Sequence, residues 1–118
     1  YFKDAVFRNS NLIEANFTSC DFTGADFTNC LMTNTNLSYT KLNNVKLENI
    51  DLTKVDFEGA DLTNASLKGS TIKQSQLEGI FQKENINLKE TKINRYYKNE
   101  PNFLAKTNIL RISNEKNI

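Results

Sequence analysis

Every fifth residue from Phe2 to Leu77 is large and apolar. The series runs Phe2, Phe7, Leu12, Phe17, Phe22, Phe27, Met32, Leu37, Leu42, Leu47, Leu52, Phe57, Leu62, Leu67, Ile72 and Leu77, sixteen positions without an exception. With 38% of the chain apolar, chance gives such a run a probability of about 10⁻⁷. A period of five fits neither the 3.6 of an α-helix nor the 2 of a flat strand. It fits a chain that turns a corner every five residues. Two residues before these central positions stand small side chains such as Ala5, Cys20, Ala25, Cys30, Thr35, Ala60 and Ser70, and only Ile50 in that series is bulky. One large and one small side chain per five then point inward. The other three positions, mostly Asp, Asn, Thr, Lys and Glu, face water.

The corners can be located too. All four glycines (Gly24, Gly59, Gly69, Gly79) fall two residues after a central position, as do Asn9, Asn29, Asn34, Asn44, Asn49 and Asn64. Gly and Asn tolerate the positive φ that a type II turn demands at its third residue. If four such five-residue sides make one coil, as the family resemblance described next implies, this position reads Asp4, Gly24, Asn44, Asn64 and Asn9, Asn29, Asn49, Gly69 on the first two sides. On the third it reads Glu14, Asn34, Lys54 and Gln74. Type II turns are expected on the first two sides and another turn type on the third, with no positive φ at Lys54 or Gln74.

The stretches Ala25-Asp26-Phe27-Thr28-Asn29, Ala60-Asp61-Leu62-Thr63-Asn64 and Ala65-Ser66-Leu67-Lys68-Gly69 closely resemble the consensus of the pentapeptide-repeat family. The resemblance implies an all-β fold: a right-handed quadrilateral β-helix of about four regular coils over residues 1–80, with an irregular C-terminal cap or tail over 81–118. No five-residue side can bury its apolar residue alone; stacked coils bury a continuous column. Columns then repeat every twenty residues: Phe2, Phe22, Leu42, Leu62; Phe7, Phe27, Leu47, Leu67; Leu12, Met32, Leu52, Ile72; and Phe17, Leu37, Phe57, Leu77.

The frame fails at Gln82, and a weak echo in Ile86-Asn87-Leu88 and Thr91-Lys92-Ile93 is shifted by one residue. This reads as an irregular fifth coil. Beyond it lie Tyr96-Tyr97, the single proline Pro101 and an apolar cluster around Phe103, Leu104, Ile109 and Leu110. A cap that covers the open solenoid end is expected here, with a short helix after Asn99 and frayed residues from Ser113. A basic partner-binding tail is the alternative. Residues 1–79 carry seven Lys/Arg against ten Asp/Glu, a net of −3; residues 80–118 carry eight against four, a net of +4. The chain starts Tyr1-Phe2-Lys3 without an initiator Met, which suggests a portion of a larger protein. No apolar run is long enough for a membrane span.

Chemistry is sparsely represented. There is no histidine, so histidine-dependent triads, zinc motifs and general bases are excluded within these residues. Cys20 and Cys30 both occupy small inward positions and are expected as packed, reduced thiols on opposite walls, beyond disulfide reach. Asp21, Asp26, Asp51, Asp56 and Asp61 precede central residues and are expected to be solvated and hydrogen-bonded to the backbone of adjacent coils. The outward threonines, Thr18 to Thr63, read as structural. No catalytic residue, cofactor, metal site or small-molecule substrate is expected. Val6, Ile13 and Leu31 break the polar rule for outward positions and mark a candidate partner patch.

The resemblance implies a non-enzymatic scaffold, since family members are known mostly as such. The leading expectation is a protein-interaction solenoid within a larger bacterial protein, its partner unidentified and a cytoplasmic placement favoured. The alternative is the family's DNA-mimic role, in which members of B-DNA-like shape and charge bind gyrase and confer quinolone resistance. That role requires a strongly acidic column, whereas Lys41 stands between Asp21 and Asp61 in this chain. Direct nucleic-acid binding is not expected at a net charge of +1. A targeting domain of a secreted effector is a further alternative.

Overall fold

In the computed structural model, which describes residues 1–95, parallel bridges join residues twenty apart. Val6 pairs with Asp26, Asn11 with Leu31, Asn16 with Asn36, and Asp21 with Lys41, and the next coil repeats the pattern, as in Asp26 with Lys46 and Lys41 with Asp61. Four bridge positions per twenty residues define the four sides of a β-helix solenoid. Between coils, the central residue's N–H donates to a carbonyl nineteen residues on, as in Phe22 N to Lys41 O (2.8 Å). Within each coil most corners close by a hydrogen bond from the inward small residue to the central residue before it, such as Ala25 N to Phe22 O (2.8 Å).

The columns hold the core. Phe22, Leu42 and Leu62 are fully buried, as are Phe27, Leu47 and Leu67. Rings one coil apart stack nearly parallel: Phe2 on Phe22 at 5.0 Å and 10°, and Phe7 on Phe27 at 5.1 Å and 6°. Rings of different sides meet edge to face, as Phe17 does Phe22 at 5.1 Å and 85°. Both arrangements suit the aromatic quadrupole. In the first coil Phe7, Leu12 and Phe17 are only partly buried, because nothing stacks above them among the described residues.

The corners follow the expectation on the first two sides, where all eight residues have positive φ, from +57° at Asn49 to +78° at Gly24. Lys54 and Gln74 avoid it, also as expected. The third side is not uniform, however: Glu14 (+62°) and Asn34 (+59°) are left-handed. The early coils impose the shared corner geometry even on a glutamate, and the ladder hydrogen bond from Glu14 N to Thr33 O (3.0 Å) holds it there. On the fourth side Ser19 and Tyr39 are left-handed as well.

Inward polar side chains donate to backbone carbonyls. Cys30 Sγ reaches Phe7 O (2.9 Å), Thr35 Oγ1 reaches Leu12 O (2.8 Å) and Ser70 Oγ reaches Leu47 O (2.6 Å), each twenty-three residues back. No buried side-chain nitrogen or oxygen among the described residues lacks a partner. Both cysteines are free; Cys30 is buried and Cys20 half-buried.

The regular frame ends differently from the expectation. After strand β1 (Thr71–Lys73) the fourth side is replaced by a short helix α1 (Gln74–Gly79). Leu77 still points inward at 7% exposure. Gln76 ties the helix to the coil above: its Nε2 donates to Leu52 O (2.6 Å) and Val55 O (2.7 Å), while its Oε1 accepts from Lys73 N (2.8 Å). One extra residue then enters. Phe81 N and Gln82 N both donate to Ala60 O (2.9 and 3.4 Å), the two-against-one pattern of a bulge. From there the bridges span twenty-one residues: Asp61 to Gln82, Ser66 to Asn87, and β1 to strand β2 (Lys92–Asn94) with Ile72 opposite Ile93. This is the one-residue shift read in the sequence. Tyr96-Tyr97, the helix expected after Asn99, the cluster from Phe103 to Ile112 and the fraying after Ser113 lie outside the described residues.

Candidate interaction surface

The outward residue before each central position forms the bridged ladder, so its side chains rise up each face in register. Its carboxylates are bound within their own corner. Asp21, Asp26, Asp51 and Asp61 each accept, at Oδ1, the backbone N–H (2.9–3.0 Å) and hydroxyl (2.6–2.7 Å) of the threonine two residues on. Asn16 with Thr18 and Asn36 with Ser38 do the same without charge. The expectation that these aspartates bond the backbone of adjacent coils is thereby corrected: the acceptor is used locally, in an Asx-turn, because the side chain is too short to bypass its own corner. Thr18, Thr23, Thr28, Thr53 and Thr63 are structural through this pairing, whereas Thr33 has Leu31 at the acceptor position.

These contacts set the acidities. The Thr23 and Thr53 hydroxyls, then the same residues' backbone N–H groups, hold Asp21 and Asp51 below the usual carboxylate range. At Asp26 and Asp61 partial burial is the largest influence and pushes upward, yet the threonine hydrogen bonds and nearby cations outweigh it, so both end lowered. Burial pushes the Cys30 thiol up.

Opposite charges adjoin on the ladders of the first two sides. Asp21, Lys41 and Asp61 are bridged in turn, as are Asp26 and Lys46, and Arg8 Nε lies 3.7 Å from Asp26 Oδ2. The fourth side differs. Its segments 15–19, 35–39, 55–59 and 75–79 contain no Lys or Arg, and they carry Asp56, Glu58 and Glu78.

The three candidate patch residues are all exposed: Val6 at 73%, Ile13 at 43% and Leu31 at 57%. Leu31 is bridged to Asn11, and Ile13 N donates to Asn11 Oδ1 (3.1 Å), so these two share the third side. Val6 is bridged to Asp26 on the second side, around the corner from them. Besides the terminal Tyr1, two exposed aromatics escaped the sequence reading. Tyr39 (61%) stands at a left-handed corner with its ring over Gly59, where a Cβ would collide with it. Phe81 (71%) is the extra residue of the bulge. A tyrosine among the Asn and Gly of the corner positions was the available signal for the first, and the loss of frame at Gln82 for the second.

A family model described as the pentapeptide repeat region matches residues 1–77. No curated protein matches the sequence. Among solved structures the chain is similar to a pentapeptide repeat protein, Rfr23, from the cyanobacterium Cyanothece 51142, at 25% identity and a TM-score of 0.40 over 73% of this chain and 60% of that one. It is also similar to two trypsin-treated variants of QnrB1, a plasmid-mediated fluoroquinolone resistance protein. One variant gives 25% identity and a TM-score of 0.43, covering 94% of this chain and 62% of that one. The other gives 21% and 0.41, covering 95% and 70%. The chain thus spans about three fifths of the length of the first two structures.

Proposed function

The chain belongs to the pentapeptide-repeat family, and from that premise we propose that it is a non-enzymatic scaffold whose outer faces bind a protein partner. In this reading a right-handed solenoid of about four regular coils over residues 1–80 supplies the faces, and the irregular segment 81–118 closes its end. The observation that carries the proposal is the exposure of Val6, Ile13 and Leu31 at ladder and corner-flanking positions that elsewhere hold mostly polar or charged residues. Apolar side chains there contribute nothing to the column inside, and exposed apolar groups rimmed by polar ones are the usual mark of a contact surface. The third side, with Ile13 and Leu31 together, is the centre of the patch, and Val6 extends it across one corner.

The test is differential cross-linking. The chain and a Val6→Lys, Ile13→Lys, Leu31→Lys variant are each used to capture proteins from the source cells. A specific species bound by the first and lost with the second is expected. Identical capture by both, with the variant's melting temperature unchanged, would remove the patch from the function.

One observation favours a second reading, binding of gyrase in place of DNA: the fourth side is anionic and free of Lys and Arg. The opposite charges paired on the first two sides weigh against it. A supercoiling assay separates the two readings.

A further inference from the structure

Three residues on the third side depart from the rule of their positions. Ile13 and Leu31 are exposed where the repeat calls for polar side chains. Leu31 also removes the Oδ1 acceptor that Asp21 and Asp51 supply to the threonine two residues on, so the corner at Thr33 goes without that support. Glu14 holds a left-handed φ of +62°, a conformation that only Gly and, to a lesser degree, Asn or Asp adopt freely. The single salt bridge among the described residues joins Arg8 to Asp26, so Glu14 has no cation paired with it in its own chain.

The opposite charge stands on the same corner two coils on. Glu14 N donates to Thr33 O and Asn34 N to Lys54 O, both at 3.0 Å, which stacks Glu14, Asn34 and Lys54 along one edge of the third side. All three are exposed. With coils about 4.8 Å apart, Glu14 and Lys54 are anchored roughly 10 Å from each other, and they make no salt bridge. Lys54 also forms none with Asp51, whose carboxyl is held low first by the Thr53 hydrogen bonds and then by the Lys54 charge.

This edge complements itself when a second copy is turned end for end and laid on the third side. Under a two-fold axis along the chain direction of this side, at the height of Leu31, the first coil of each copy faces the third coil of the other. Glu14 of one copy then meets Lys54 of the other, and the same pair forms again on the far side of the axis. Leu31 meets its own counterpart at the centre, and Ile13 lies over Thr53. Asn11, whose Oδ1 is taken by Ile13 N, brings its amide N–H groups to Asp51, whose Oδ1 is taken by Thr53 and whose Oδ2 is left to accept. Within these three coils no like charges face each other. With the copies parallel, Leu31 would face the opposite edge and both charges would go unmatched.

We propose that the third side is a self-association surface on which a second copy of this chain packs antiparallel, with Leu31 at its centre and Glu14–Lys54 pairs at either end. The proposal rests on the reading of Ile13 and Leu31 as a contact surface and names what occupies it.

Sedimentation equilibrium on the full chain tests it. One face three coils tall gives a small interface and a weak dimer, so the measurement runs to about 1 mM. Dimers are expected. Glu14→Lys and Lys54→Glu each set like charges face to face and should weaken dimerisation at least about ten-fold. An equimolar mixture of the two variants should pair again, since each supplies the charge the other lacks. Leu31→Asn gives Thr33 the acceptor that Asn36 gives Ser38, so it should weaken the dimer without lowering the melting temperature. A chain that stays monomeric to about 1 mM would overturn the second copy as occupant; if capture from the source cells still required Ile13 and Leu31, the patch itself would stand. Dimers indifferent to the charge reversals or to Leu31→Asn would also overturn the proposal, as would a mixture of the two reversed variants that fails to pair.

Discussion

The corner at Ile50 is closed by a side chain of the next coil and not by its own backbone. Across the inward small positions the closing hydrogen bond is 2.8 Å at Ala25 and 2.9 Å at Ala65, and it stretches to 3.4 Å at Val45. At Ile50 it is replaced: the Ser70 hydroxyl accepts from Ile50 N (3.0 Å) and donates to Leu47 O (2.6 Å). The hydroxyl of the next coil thus links the N–H and the carbonyl that close other corners directly. Ser70→Ala should therefore cost about 1–3 kcal/mol, the penalty for stranding a buried donor and acceptor. The cost should shrink in an Ile50→Ala background, where the corner can close on itself; an equal cost in both backgrounds, by denaturant melts, would break this link. The aspartates carry a pH signature. Their folded pKa values lie below 3.8, so their contribution is present above about pH 3.8 and is lost as pH falls through the folded values. Melting temperature should drop as the solution is acidified below that point. Replacing Asp21, Asp26, Asp51 and Asp61 by Asn, which keeps the Oδ1 acceptor as Asn36 does, should flatten the profile.

At the scale of elements, stability resides in columns and in the transitions between them. Phe27 lies beneath Phe7 and is fully buried, so Phe27→Ala should cost about 3–5 kcal/mol. Met32→Leu, which conserves volume in the neighbouring column, should cost less than about 1.5 kcal/mol. An unchanged melting temperature for Phe27→Ala would contradict the stacking. The bulge offers a sharper contrast between adjacent residues. Ile80 is 4% exposed and Phe81 is 71% exposed. Ile80→Ala should cost about 2–5 kcal/mol, while Phe81→Ala should stay within about 0.5 kcal/mol. A large effect at Phe81 would mean that its ring packs against something beyond residues 1–95.

For the whole molecule the decisive quantity is the distribution of charge. Duplex DNA carries one charge per about 1.7 Å of axis. With coils about 4.8 Å apart, a four-coil stack is roughly 19 Å tall and would need about eleven negative charges on the surfaces that replace DNA. Residues 1–79 hold ten Asp/Glu in all. Several are stacked against Lys41 and Lys46, and only three lie on the cation-free fourth side. The chain should therefore leave gyrase supercoiling unaffected at micromolar concentration. Dose-dependent inhibition that weakens with salt would reverse the order of the two functional readings, and Glu58→Gln with Asp56→Asn would then be the first variants to relieve it.

The period of five, together with the resemblance of its repeats to the pentapeptide-repeat consensus, determined the solenoid, the inward columns and the left-handed corners of the first two sides. It could do so because each side sees the same surroundings, its neighbours twenty residues away, and local repetition then specifies the global stack. Even the one-residue slip after Leu77 was visible, as a displaced echo at Leu88 and Ile93. Only the tertiary structure decided what depends on contacts between coils. Glu14 takes a left-handed φ because the ladder holds it, against its own preference. Gln74–Gly79 coils into a helix because Gln76 can reach two carbonyls of the coil above. The slip is absorbed at Phe81 because Ala60 O can accept two donors. The same holds for the surface: Val6, Ile13 and Leu31 stand out as apolar in an outward frame, but their division between two sides follows from which residues are bridged, a relation between coils that no single repeat contains.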